Sequence, residues 1–229
     1  MNLLAFDTST EYLSLAVQKG SEVFTFDINA GQTHSQIILP QIQGLLNEAK
    51  LALSDLQGIA FGAGPGSFTG VRIAAGVAQG LGFGANLPVV DICTLLALAE
   101  ASGAGKVIAC LDARMGEVYH AVYEKTHDTW QTVLAPGLYK PAEVPPVQGD
   151  GWVGAGSGWQ AYSEQLSLVY GEQLQAVQPQ ALPTAAAILA LAKPIVVSGH
   201  AKPAGEAMPI YVRNRVALKT AEREQGLKL

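Results

Sequence analysis

The sequence predicts an α/β protein made of two duplicated lobes. An apolar strand ends at Asp7 and re-enters a second strand after a polar turn, and the same pattern recurs at Asp112, close to half a chain later. Each copy is followed by segments with helical spacing, and repetition of one supersecondary unit signals duplication. Composition agrees, because 229 residues that are 49% hydrophobic and only 14% charged can bury a substantial core.

Taken in order, Leu3 to Phe6 form the first strand, Asp7-Thr8-Ser9-Thr10-Glu11 the turn, and Leu13, Leu15 and Val17 alternate along the return strand. Lys19-Gly20 then opens a third strand through Val23, Phe24 and Phe26. Ile38, Ile42, Leu45 and Ala49, spaced by four, three and four, place one apolar face on a helix from about Ser35 to Ala49. A buried strand at Gly58 to Phe61 leads into Gly62-Ala63-Gly64-Pro65-Gly66-Ser67 and a second helix, Phe68 to Gly84. Val89-Val90 begin another strand, and a third helix covers Thr94 to Ala101. In the second half, Val107 to Asp112 and Val118 to Val122 repeat the opening hairpin. Pro141 to Pro146 connect, Gly154 to Gly158 turn, and Thr184 to Ala192 form a short apolar helix. The domain expectation is a first lobe of 1–104 rejoined by 207–229, and a second lobe of 105–206, with the boundary at Gly103-Ala104-Gly105.

Nineteen acidic and fourteen basic side chains give a formal net charge of −5, so the molecule as a whole has no general attraction for polyanions. Five of the basic residues lie in the final segment from Arg213, read as a solvated helix or tail. Cys93 and Cys110 each sit in an apolar run, which fits reduced, buried thiols and not a disulfide framework. The N-terminus carries no signal-peptide pattern, and the uncharged stretch Ile73 to Val90 contains four glycines, Gln79, Asn86 and Pro88. The expected location is therefore cytoplasmic, without a membrane span.

Most patterns that would carry chemistry are incomplete. Asp7, Thr8 and Ser9, with Asp112 in the second copy, are the candidates for holding a phosphate and its magnesium, as aspartate turns do in actin-like ATPases. The alternative at each turn is an aspartate that caps its own backbone. Gly62 to Gly70 resembles a phosphate loop but lacks the lysine of the Walker pattern, and Pro65 removes an amide donor. Its glycines suit a tight strand-to-helix turn capped by Ser67 or Thr69. His34, His120, His127 and His200 form no pair at ligand spacing, and no nucleophile-elbow pattern occurs.

The most informative feature is a depletion of charge. From Ile28 to Val90 the only charged side chains are Glu48, Lys50, Asp55 and Arg72. Two helices fall in this stretch, and a helix on the outside of an α/β domain ordinarily carries charge on its solvent face. Uncharged faces of small residues are what protein partners cover. Within the second helix Gly76, Gly80 and Gly84 recur every fourth position, forming a groove for close helix approach.

The segments Leu4-Ala5-Phe6-Asp7-Thr8-Ser9-Thr10, Thr33-His34-Ser35-Gln36 with Leu39-Pro40, Gly62 to Arg72 (GAGPGSFTGVR) and Leu111 to Tyr119 (LDARMGEVY), in that order, resemble the TsaB (YeaZ) family. The similarity spans the first half, fades after Tyr123, and returns at Tyr211-Val212-Arg213. The resemblance implies an actin-like (ASKHA) fold and a role in forming threonylcarbamoyladenosine on tRNA, beside the anticodon. It also implies a paralogous catalytic subunit, TsaD, whose metal is held by two histidines spaced HxxxH in the helix that here begins near His34. Ile38 stands at the second of those positions, so no metal-dependent transfer is expected of this chain. Further implied are pairing with a TsaD-like subunit through the first two helices, homodimers through the same surface, and a TsaE-like ATPase joining the assembly. ATP and metal are then expected on the partner subunits, with no cofactor on this chain, and tRNA is reached only through the complex. The residues expected to meet the partner are Ile38, Ile42, Leu45, Gly70, Ile73, Ala74 and Val77. The rival readings are an ATP-dependent kinase or ATPase of the actin-like superfamily using Asp7 and Asp112, and a metallopeptidase, which the missing histidine pair disfavours.

Overall fold

The computed structural model describes residues 1–212. The basic segment from Arg213, and with it most of the stretch expected to rejoin the first lobe, lies outside the described residues.

Strands β1 (Asn2–Asp7), β2 (Tyr12–Lys19) and β3 (Glu22–Asn29) form an antiparallel ribbon, to which β4 (Gly58–Gly64) and β5 (Val89–Cys93) add in parallel, in the order β3-β2-β1-β4-β5. The second half repeats the plan with β6 (Lys106–Arg114), β7 (Glu117–Thr126), β8 (Thr129–Tyr139), β9 (Trp152–Ala155) and β10 (Leu174–Gln178). Its order, β10-β9-β6-β7-β8, is the first sheet read from the opposite edge. In both, the central strand pairs antiparallel with its successor and parallel with the fourth strand. The duplication inferred from Asp7 and Asp112 is therefore a duplication of whole sheets.

Alternation along the central strands explains how each sheet is covered. Leu4 and Phe6 of β1 point to α1 (His34–Glu48) and α2 (Phe68–Ala85), where they meet Ile38, Ile42, Leu45 and Ala74. Leu3 and Ala5 point the other way, to Ile188, Leu189 and Ala192 of α6 (Ala185–Val197). A strand buried on both faces reads as an unbroken apolar run, as Leu3 to Phe6 does. In β6, Ile108 and Cys110 face Trp159 of α4 (Ser157–Ala161) and Leu166 and Tyr170 of α5 (Ser163–Tyr170). Val107, Ala109 and Leu111 face Leu95 and Leu98 of α3 (Thr94–Ala101).

Two helices thus cover the sheet of the other half. A division at 104 puts α3 with the first lobe and α6 with the second, yet α3 packs on the second sheet and α6 on the first. Ser14 fixes the second exchange, since its hydroxyl accepts from the backbone N–H of Ala185 at 2.7 Å in the first turn of α6. Residues 202–210 then run back along α2: Lys202 pairs with Val89, Gln79 Nε2 donates to Ala207 O at 2.8 Å, and Ile210 N donates to Ala63 O at 2.7 Å.

The elements differ from the sequence reading in three ways. β4 continues to Gly64, because Gly62 and Gly64 pair with Ile92 and Cys93 of β5, with buried Ala63 as a bulge between them, and are not part of a loop. α6 continues five residues past Ala192, through Pro194. β8, α5 and β10 carry no strong period: β8 holds Pro136 and Gly137, and β10 is the mostly exposed LQAVQ. No helix among the described residues is long and apolar enough to cross a membrane.

Candidate functional site

The two aspartate turns share one local geometry. Asp7 Oδ1 accepts from the backbone N–H of Ser9 at 2.8 Å, and Asp112 Oδ1 accepts from the backbone N–H of Arg114 at 2.8 Å. Each is an aspartate that bonds its own backbone two residues on. Beyond that bond the turns diverge.

In the first turn the aspartate is sealed. Asp7 is 1% exposed, and its Oδ1 also accepts from the Ser9 hydroxyl at 2.7 Å, while Oδ2 has no hydrogen-bond partner. Burial pushes the carboxyl up to about 6, against the smaller opposing pull of the Ser9 hydroxyl and amide. The glycine-rich loop is the lid. A Cβ on Gly62 would overlap the Asp7 carboxylate, one on Gly70 would overlap the Thr8 carbonyl, and one on Gly66 would lie 2.6 Å from Ser9 O. Thr8 Oγ1 donates to Gly70 O at 2.7 Å, and Ser67 N donates to Ser9 O at 2.8 Å. The two motifs that resemble phosphate cradles are packed backbone to backbone, each occupying the space in front of the other. Ser67 caps α2 by accepting from Gly70 N at 3.3 Å, so of the two capping residues anticipated it is Ser67 that bonds.

The second turn is open and braced by charge. Arg114 donates to Asp112 Oδ2 at 3.1 Å and to Glu11 Oε1 at 2.6 Å, while Tyr162 donates to Asp112 Oδ1 at 3.3 Å. Glu11 belongs to the first lobe's turn, so Arg114 spans the two lobes. Both line a cleft of about 1560 Å³ with walls from each half: Ser9, Thr10, His34 and Phe68 on one side, Asp112, Ser157 and Gln160 on the other. At its rim the Arg72 guanidinium stacks 3.2 Å above the Phe68 ring and 4.9 Å from that of Tyr211. The sequence reading placed Glu11 and Arg114 in turns and missed their pairing, which depends on the long-range approach of the two halves.

His34 is 5% exposed, and its Nε2 has no partner. Four residues on, Ile38 is buried in the first-lobe core. Among the described residues no three His, Cys, Asp or Glu side chains gather as a metal-ligand set. Cys93 and Cys110 are free thiols, and burial raises the Cys110 thiol far above its ordinary range.

The residues expected to face a partner divide sharply. Ile38, Ile42, Leu45 and Ala74 belong to the lobe's own core, and Gly70 is buried under Thr8. This corrects the idea that they are presented outward: the helical period marks the face that packs on β1 and β2. Ile73 and Val77 are half-buried at the edge of that core. The outward surface is made by residues the period does not mark. Leu39 of α1 is 51% exposed and Phe83 of α2 is 69% exposed. Gly76, Gly80 and Gly84 are exposed, and a Cβ on any of them would meet nothing within 4 Å among the described residues.

The family model described as TsaD, tRNA N6-adenosine threonylcarbamoyltransferase, matches residues 28–201. The chain is 38% identical to the tRNA threonylcarbamoyladenosine biosynthesis protein TsaB of Escherichia coli (strain K12), over 96% of this chain and 97% of that one. It is 39% identical to the protein of the same name from Haemophilus influenzae, over 96% of each. The chain belongs to the TsaB family. A solved structure of YeaZ from Pseudomonas aeruginosa superposes on this TsaB chain with a TM-score of 0.82 at 37% identity, covering 92% of this chain and 99% of that one. A second Pseudomonas aeruginosa structure, described as similar to peptidase YeaZ, gives 0.83 at 36% identity, covering 93% and 99%. TsaB membership fits the actin-like arrangement of two duplicated α/β lobes and places the chain in threonylcarbamoyladenosine biosynthesis on tRNA.

Proposed function

We propose that this chain is a non-catalytic scaffold of the threonylcarbamoyladenosine-forming assembly, and that the outer face of α1 and α2 docks a TsaD-like catalytic subunit. The observation that carries this reading is the glycine stripe of α2. Glycine in a helix interior costs roughly 1 kcal/mol relative to alanine, and at Gly76, Gly80 and Gly84 nothing among the described residues needs the missing side chain. Close approach of a partner backbone supplies the reason. Over the two helices the only charged residues are Glu48 and Arg72, and Arg72 is stacked on aromatic rings, which leaves a surface with little charge and suited to burial.

In this reading the isolated chain forms a homodimer through the same face, a TsaE-like ATPase joins the assembly, and tRNA, ATP and metal are handled by the partners in the cytoplasm. An ATPase working through Asp7 would first have to separate two turns packed without a gap. Co-purification with a TsaD-like subunit tests the docking face. Val77→Glu is expected to abolish it while unfolding stays cooperative; undiminished binding would overturn the assignment.

A further inference from the structure

We infer that Glu11 and Arg114 form a latch that sets how far the cleft between the lobes opens. Among the described residues this is the one ion pair that joins the first-lobe turn to the second-lobe turn: Lys202–Asp91 lies within the first lobe, and Lys106–Glu124, Lys125–Glu100 and Lys140–Glu143 lie within the second lobe and the helix packed on it. The pair lines the cleft directly, at 2.6 Å between Arg114 Nη2 and Glu11 Oε1.

The latch is prepared on one side. Arg114 sits at φ +62°, in the left-handed region that L residues adopt only when something holds them there. Here the holding group is Asp112, which takes the Arg114 backbone N–H on one carboxylate oxygen and its guanidinium on the other. Asp112 is itself fixed, since its backbone N–H donates to Ser157 Oγ at 3.1 Å and Tyr162 donates to its carboxylate. The guanidinium therefore reaches the cleft already oriented, and closing requires ordering of Glu11 alone. Glu11 is 58% exposed at its side chain, and among the described residues that side chain is bonded only to Arg114. An oriented cation facing an exposed anion across a cleft is a contact that can form and break without disturbing either lobe.

Because both side chains are largely exposed, the pair is weak and screened by salt. It does not hold the fold together; it biases a population. An exposed pair at the upper end of its range changes such a ratio by about fivefold.

The test uses spin labels on the full chain at Gln32→Cys and Gln160→Cys, which line opposite walls of the cleft, in a Cys93→Ser background with the buried Cys110 left in place. Pulsed electron resonance then reads the distance distribution. At low salt Glu11→Gln is expected to raise the ratio of long to short distances by up to about fivefold, and 0.5 M salt to do the same to the unmodified pair. In an Arg114→Ala background, Glu11→Gln is expected to change nothing more. Identical distributions for Glu11→Gln and the parent at low salt would overturn the latch, as would an equal effect of Glu11→Gln with and without Arg114. Cooperative thermal unfolding of each variant separates a shifted cleft from a damaged fold.

Discussion

The Asp7 and Asp112 turns begin as copies and end as opposites. In both, an aspartate at the end of a central strand takes the backbone N–H two residues ahead at 2.8 Å. Asp7 is then covered by Gly62 and the glycine-rich turn that follows, with one oxygen left without a donor. Asp112 meets Arg114, Tyr162 and a cleft. The lesson is that the motif dictates only the local bond. What the aspartate does next is decided by the loop laid across it from the fourth strand of its own sheet.

The comparison breaks most severely at the glycines of that loop. Gly70→Ala would drive a methyl group into the Thr8 carbonyl, and backbone on both sides leaves little room to yield. A loss of about 3–5 kcal/mol is expected, at the upper end for single substitutions, read as a collapse of the denaturation midpoint. Next in size is Asp7→Asn. Raising a buried carboxyl from 3.8 to about 6 disfavours the ionised folded state by about 3 kcal/mol. The folded-state value lies above the unfolded one, so this group's contribution is fully present below pH ~3.8, is lost as pH rises to about 6, and stays lost above. Asp7→Asn should therefore stabilise the chain at pH 7 by up to about 3 kcal/mol and flatten its stability profile between those limits, in urea titrations across pH.

Smaller effects sharpen the contrast. Gly76→Ala or Gly80→Ala, on the same helix as Gly70 but facing open space, should each stabilise the isolated chain by up to about 1 kcal/mol, so that one helix yields both signs of effect from one substitution. Asp112→Asn should shift stability by no more than about 1 kcal/mol, since its ion pair reaches a largely exposed guanidinium.

Much of this architecture could be read from the residues. Alternation and strand-turn-strand repetition located the central hairpins, the 3.6-residue period located α1, and the glycine-rich turn that precedes α2 located that helix, each within a residue or two. Elements whose burial is slight, such as β10, left no period to read. The same physics explains the misplaced interface. Ile38, Ile42 and Leu45 stand out in the sequence because they are periodic, and they are periodic because they face the lobe's own sheet. The outer face is written in what is missing: charge, and side chains at Gly76, Gly80 and Gly84. The spacing of those glycines was visible, but whether they look inward, as Gly82 does against Ala204, or outward needed the fold. The Glu11–Arg114 contact joins residues 103 apart and could not be read locally.

The central claim, that the outward stripe of α2 exists for a partner, is tested most directly by titrating a purified TsaD-like subunit into Gly80→Leu in a calorimeter, with thermal unfolding of the variant alongside. The first side-chain atom there meets nothing within 4 Å among the described residues, so the expected result is a melting temperature equal to or above that of the parent together with loss of binding by at least about a hundredfold, as a backbone contact is forced apart. Binding at parental affinity by a stably folded Gly80→Leu chain would contradict it.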